Sequence, residues 1–178
     1  FQDLALYRNI RLIFHHSIDC QPMWFDWNLL EKVYFNFLSN AFKNVPNGGS
    51  ILVNLSVKSL SELTAPPSIE LNKYKNAEIK YLSVSIQDSG VGIASHELEK
   101  IFLPFYQIAQ NEHSKSGTGI GLSLSKAIIE IHHGIVWADN VPDSGAVFQF
   151  VLPIDKVYFD PASIVESANN DTVSFNVE

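Results

Sequence analysis

Residues 27–45, WNLLEKVYFNFLSNAFKNV, decide how this chain is to be read. Leu30, Tyr34, Phe37, Leu38, Ala41 and Val45 recur at helical spacing, and Pro46 with the turn Asn47-Gly48-Gly49 ends the run. With Asn36 at zero and about 100° per residue, Asn40 lies near 40° and Lys43 near −20°. Phe37, Leu38, Ala41 and Val45 gather on the other side, between about 100° and 200°. Two carboxamides and one ammonium therefore share a face opposite an apolar stripe. A solvated helix face would carry polar residues too. Asparagine is a poor helix former away from the ends, however, so something else must be asking for it twice. An amide oxygen suits a hard cation, an amide nitrogen suits a phosphate oxygen, and lysine adds a point charge. The set fits a metal–triphosphate complex.

Outward from this helix the pattern is mixed. Upstream, Ile10–Phe14 is a short β-rich run, and downstream Ile51, Val53, Leu55 and Val57 alternate with Leu52, Asn54, Ser56 and Lys58 as a strand does. Residues 59–78 hold a Pro-Pro pair and no period, which predicts a long exposed connection or hairpin excursion. Leu82, Val84 and Ile86 alternate again up to Asp88. A helix is predicted over Leu122–His132, burying Leu122, Ile128 and Ile131. Two strands follow near Ile135–Ala138 and Ala146–Leu152, joined by a turn at Pro142–Gly145. Helices and strands interleave without steady βαβ alternation. The expected fold is a two-layer α/β sandwich with a mixed sheet and one helical layer. One domain is expected over 1–153, with 154–178 a linker or flexible tail.

Composition narrows the class. The chain has 178 residues, 46% hydrophobic and 17% charged, enough for one core without disulfides or structural metal. A net charge of −7 argues against a reader of the phosphate backbone of nucleic acids, though not against a local anion site built from backbone amides. Cys20, the single cysteine, cannot form an internal bridge and reads as a small half-buried side chain. No run reaches the roughly 18 apolar residues that span a bilayer, and no signal-peptide pattern opens the sequence. The abrupt start at Phe1 is that of a piece cut from a longer protein.

Two glycine-rich stretches carry further chemistry. Asp88-Ser89-Gly90-Val91-Gly92 follows a strand; it can be an ordinary turn, or a carboxylate that accepts from an exocyclic amine beside glycines that admit a flat ring. Gly117-Thr118-Gly119-Ile120-Gly121-Leu122 opens a helix and can aim unpaired N–H groups at an anion. Its spacing is neither a Walker A loop nor a dinucleotide fingerprint. Between them, Ile101-Phe102-Leu103-Pro104-Phe105-Tyr106 and a polar stretch read as a lid with an aromatic hinge, or as a loop anchored by aromatics.

Taken in order, Asn-x-x-x-Asn-x-x-Lys, Asp-x-Gly-x-Gly, Phe-x-Pro-Phe and Gly-x-Gly-x-Gly-Leu resemble the N, G1, F and G2 boxes of sensor histidine kinases. The resemblance runs from about residue 10 to the closing strand Gly145–Pro153. That family belongs to the GHKL superfamily, whose Bergerat fold is an α/β sandwich holding ATP between helix layer and lid. The resemblance implies Mg²⁺ on the amide oxygen of Asn40 and phosphate contacts from Asn36 and Lys43. It implies adenine recognition by Asp88, with Gly90, Val91, Gly92 and Ile93 lining the base. Phe102 and Phe105 would seat the lid, and Gly117, Thr118, Gly119, Gly121 and Leu122 would cradle phosphate. No general base is implied in this domain.

In such kinases the acceptor histidine lies on a separate dimerisation domain, which takes the γ-phosphate and passes it on to a receiver domain. By resemblance, those two are the partners, and neither nucleic acid nor membrane is touched directly. The setting implied is the cytoplasmic portion of a membrane-anchored bacterial sensor, and the wording of FDWNLLEKVYFNFLSNAFKN and HHGIVW is most similar to hybrid sensors. Related ATPases place a glutamate one turn before the metal-binding Asn; here that position is Asn36, and Glu31 points elsewhere at about −140°. A kinase is therefore preferred to an ATPase. A degenerate nucleotide-binding or docking module is the other alternative, supported by Gln107 where many members carry Arg and by one glycine missing after His132-His133. Ser95-His96-Glu97-Leu98 imitates an acceptor motif but lacks Arg-Thr-Pro; the resemblance implies a short helix there, with Ser95 as its cap and His96 exposed.

Overall fold

The computed structural model describes residues 1–18, 23–66, 69, 79–108, 118–142, 145–159 and 161. Along them run α1 (Gln2–Tyr7), β1 (Arg11–Ser17), α2 (Trp27–Asn44), β2 (Ser50–Ser59), β3 (Lys80–Asp88), α3 (Gly121–Ile131), β4 (Ile135–Asn140) and β5 (Ala146–Pro153). The strands form one sheet in the order β1-β2-β3-β5-β4. β1 pairs with β2 in parallel, and every other pair is antiparallel, so the sheet is mixed as expected.

α2 forms where the pattern places it. The Asp26 carboxylate caps its start by accepting from Leu29 N–H, and Val45 leaves the helix in an extended conformation ahead of Pro46. Its stripe, with Val33, Phe37 and Ala41 fully buried, packs on Ile51 and Val53 of β2 and Ile86 of β3. The Phe37 ring lies 5.4 Å from Phe148 and 6.0 Å from Phe150, both on β5. α3 joins the same layer through Ser125, Ile128 and Ile129; Ile131, predicted to be buried, is 61% exposed because it falls on the far side of the last turn. At that end His132 is buried. Its Nε2 accepts from Asp26 N–H at 3.0 Å, which leaves Nδ1 to donate to Ile128 O at 2.7 Å, so the ring bolts α3 to the start of α2.

Four segments depart from the expectations. Gln2–Tyr7, left unassigned by the sequence pattern, is a helix held by Arg8: its Nε donates to Asn47 Oδ1 at 2.8 Å, Nη2 to Val45 O at 2.6 Å and Nη1 to Phe42 O, closing the C-terminal end of α2. The connection expected to be exposed from residue 59 is packed at its start. Leu63, Ala65 and Ile69 lie with Tyr158 on the second sheet face, against Ile79, Tyr81, Trp137 and Val151. Residues 67–68 and 70–78 of that connection lie outside the described residues, as do Cys20 and the middle of the turn at 142–145. Packing also continues beyond Pro153, since Ile154 is buried and Phe159 sits 5.9 Å from the His133 ring.

Finally, no α-helix forms at Ser95. Bonds from Glu97 N to Ala94 O, and from Lys100 N and Ile101 N to Glu97 O, make consecutive turns ending in the 3-10 helix Lys100–Phe102. Ser95 caps nothing, because the first turn closes on the Ala94 carbonyl and Leu103-Pro104 leaves no room for a longer helix. Among the described residues no helix is long and apolar enough to cross a membrane.

Candidate functional site

The polar face of α2 does not meet open solvent. It forms one wall of a cleft of about 460 Å³, whose other walls are the start of α3, the end of β3 and the beginning of β5. Asn36, Asn40 and Lys43 line it, as do Asp88, Gly92 and Ile93 on one side and Thr118, Gly119, Gly121 and Leu122 on the other. Three motifs thus face a single space although Asn36 and Gly121 are 85 residues apart in sequence, and the long-range packing of α2 on β3 and α3 is what brings them there.

Asp88 is 2% exposed and sits where β3 ends. Its Oδ1 accepts from Gly90 N–H at 2.8 Å, and Ala146 N–H also bonds the carboxylate. Burial nevertheless prevails over these bonds and pushes its pKa above the ordinary aspartate value. Gly145 makes the enclosure possible. With φ at 69°, it lies so close that a Cβ would stand 2.4 Å from Asp88 O and 2.5 Å from Gly90 N. The hairpin of β4 and β5 is therefore pressed directly against the Asp88 turn.

Asn36 has a narrower part than the sequence implied. Its Nδ2 donates to Gly121 O at 3.1 Å and to Ser125 Oγ at 3.2 Å, so the amide hydrogens expected to meet phosphate already join α2 to the first turn of α3. Only Oδ1 is left to face a ligand. Ser125, fully buried, donates its own hydroxyl hydrogen bond to Gly121 O at 2.9 Å. Asn40 and Lys43 stand on the cleft side of α2, half-buried and exposed respectively. Glu31 is exposed and lines no part of the cleft.

Four expected contacts are displaced. Val91 is 85% exposed and Gly90 lies behind Asp88, so neither lines the cleft; Gly92 and Ile93 do. Phe102 is buried in the main core, whereas Phe105 is 73% exposed with φ at 62°, held by its N–H to Gly119 O at 2.9 Å. The aromatic of this loop that lines the cleft is its neighbour Tyr106, whose hydroxyl donates to Glu97 Oε2; that bond raises the tyrosine's pKa. Gly117 lies outside the described residues. His96 is exposed as expected, its Nε2 2.9 Å from Glu97 Oε1.

The sequence reading missed Ser125, Gly145, Tyr106 and Asn140. Ser125, Gly145 and Asn140 each take their role from a partner far along the chain, and Tyr106 from Glu97 nine residues before it, so no periodic spacing announces any of them. The one available signal was the Asn-x-Pro-x-x-Gly turn before β5, which marks a hairpin tip but not what that tip touches.

Among the described residues no three His, Cys, Asp or Glu side chains gather to hold a metal. A cation here would need phosphate and water for most of its ligands, which is how Mg²⁺ is commonly held, and the Asn40 amide oxygen suits that role.

Comparison with known proteins agrees with this arrangement. Residues 25–156 match the family described as histidine kinase-, DNA gyrase B-, and HSP90-like ATPase. The adaptive-response sensory kinase SasA of Rippkaea orientalis is 29% identical over 154 residues, covering 86% of this chain and 34% of the relative. The sensor histidine kinase WalK of Bacillus subtilis is 31% identical over 129 residues, covering 72% of this chain and 18% of the relative. The chain thus spans about a third or less of these relatives. The catalytic domain of histidine kinase ThkA superposes with a TM-score of 0.65 at 24% identity, covering 86% of each chain, a likeness of fold. This chain belongs to the histidine kinase-, gyrase B- and HSP90-like ATPase family, and within it is homologous to the catalytic domains of sensor histidine kinases.

Proposed function

We propose that this chain binds Mg·ATP in the cleft and presents the γ-phosphate to a histidine on a separate dimerisation domain, as the catalytic domain of a two-component sensor kinase. The observation that carries this reading is the cleft's charge. Asp88 is the only carboxylate among its described lining residues, and it is buried under Gly145 and bonded to backbone N–H groups. A carboxylate so placed can accept from the amine of adenine; it is poorly placed to activate water at the other end of a triphosphate. Hydrolysis therefore lacks its base, while transfer to an incoming nucleophile needs none here.

The remaining roles follow from donor chemistry. Lys43 would supply positive charge to the phosphates, and Thr118, Gly119 and Gly121, which line the cleft at the start of α3, would offer them amide N–H groups. Mg²⁺ held by Asn40 would neutralise charge on the phosphates. Asn36 fixes the gap between α2 and α3 across which the phosphates lie. Partners of the whole protein would be its own dimerisation domain and the receiver domain of a response regulator. The ThkA kinase was solved in complex with the response regulator TrrA, a precedent for the second. The setting we infer is the cytoplasmic side of a sensor.

The test is two-part. Calorimetric titration with a non-hydrolysable ATP analogue and Mg²⁺ should show one site. Adding a histidine-acceptor domain with ATP should then give phosphate on that domain and little free phosphate without it. Sustained phosphate release in the absence of any acceptor would overturn the kinase reading in favour of an ATPase.

A further inference from the structure

The cleft has a support that takes no part in lining it. Asn140 ends β4, paired across to Ala146 of β5. Its side chain reaches back to the segment after Asp88, where Oδ1 accepts from Ile93 N–H at 2.8 Å and Nδ2 donates to Ile93 O at 2.6 Å. One carboxamide thus satisfies both main-chain groups of one residue, much as a neighbouring strand would, in a stretch that belongs to no strand. The fit is close. Gly92 turns the segment with φ at 75°, and a Cβ on it would stand 2.8 Å from Asn140 Oδ1. Gly92 and Ile93 face the cleft together with Asp88.

A base that enters beside Asp88 meets a carboxylate that accepts from an amine and repels a carbonyl. That repulsion discriminates only if the base cannot slide away from it, which requires a wall that stays where it is. We propose that Asn140 is a positioning residue that fixes the Gly92–Ile93 wall beside Asp88 and thereby sets the preference for an adenine over a guanine nucleotide. The proposal rests on the reading of the cleft as a nucleotide site. Sequence spacing gives no hint of it, because Asn140 lies forty-seven positions from Ile93.

The experiment titrates Mg·ADP and Mg·GDP into the 178-residue chain, as wild type, Asn140→Ala and Asn140→Asp, with a thermal melt of each. Loss of two hydrogen bonds to the wall should weaken ADP about tenfold in Asn140→Ala while GDP changes little, so the ADP:GDP preference collapses. Asn140→Asp keeps an acceptor for Ile93 N–H but sets an oxygen against Ile93 O, so it should follow Asn140→Ala and not wild type. A merely structural asparagine would lower both affinities together. An unchanged ADP:GDP ratio in either folded variant overturns the proposal. Wild type that binds neither nucleotide would instead sink the nucleotide reading, and this proposal with it.

Discussion

Replacing Asp88 by asparagine separates binding from stability in a way few substitutions can. The two side chains have the same shape, so the core around β3 and Gly145 need not move. The amide oxygen has to remain on Gly90 N–H, now 2.8 Å from Oδ1, and the –NH₂ then replaces an acceptor by a donor. A charge-assisted hydrogen bond to the base amine, worth about 1.5–3 kcal/mol, is lost. That is about 10- to 150-fold in Kd. Stability should move the other way. The carboxylate's pKa is raised in the folded state, chiefly by burial, so the ionised group weakens folding at neutral pH. Asp88→Asn removes that charge and should melt at or above the wild-type temperature at pH 7.5. The assay is calorimetry with Mg·ADP alongside a thermal melt of the same sample. A folded variant that binds within twofold of wild type would refute the assignment of Asp88 to the base.

The same raised pKa gives a pH profile. As pH falls toward the elevated pKa, Asp88 takes up a proton at higher pH than an ordinary aspartate; folding gains from this while nucleotide binding weakens, and the binding loss attributable to this group should vanish in Asp88→Asn. Adenosine, which has no phosphates to titrate, is the suitable ligand for that comparison. Phe37→Ala should cost about 3–5 kcal/mol in denaturant unfolding, because a fully buried ring between α2 and β5 leaves a cavity. Arg8→Met should cost about 2 kcal/mol by freeing the Phe42 and Val45 carbonyls at the end of α2, with Mg·ADP affinity of the folded protein nearly unchanged.

What was legible in the sequence was whatever repeats. The stripe of α2 and the alternation in β2, β3 and β5 are local patterns set by a shared core, and the helix face carrying Asn36, Asn40 and Lys43 followed from 3.6-residue geometry alone. What was hidden depends on distant partners. α1 has six residues, too few for a period, and is tied to the end of α2 by the Arg8 side chain. Ser-His-Glu-Leu looks like a helix start, yet the segment closes into successive tight turns and a 3-10 helix before Pro104. Asn36 was placed in the cleft, but its bond to Ser125 was not foreseen, since nothing local announces Ser125 across the gap. The connection after β2 looked exposed because its apolar residues have no period; they need none, being laid on a sheet face already built by Tyr81, Trp137 and Val151.

That covered second face has a kinetic consequence. β3 and β5 are packed on both sides, by α2 beneath and by Leu63, Ile69 and Tyr158 above, whereas β1 is an edge strand with His15, His16 and Ser17 exposed. Amide exchange should therefore be slowest in the middle of the sheet and fastest along β1, with the central amides opening only when the whole domain does. Asp88 ends one of those guarded strands and Ala146 begins the other. The part of the cleft that has to recognise a flat ring is thus moored to the slowest-exchanging region of the molecule, and its shape should persist for as long as the domain stays folded.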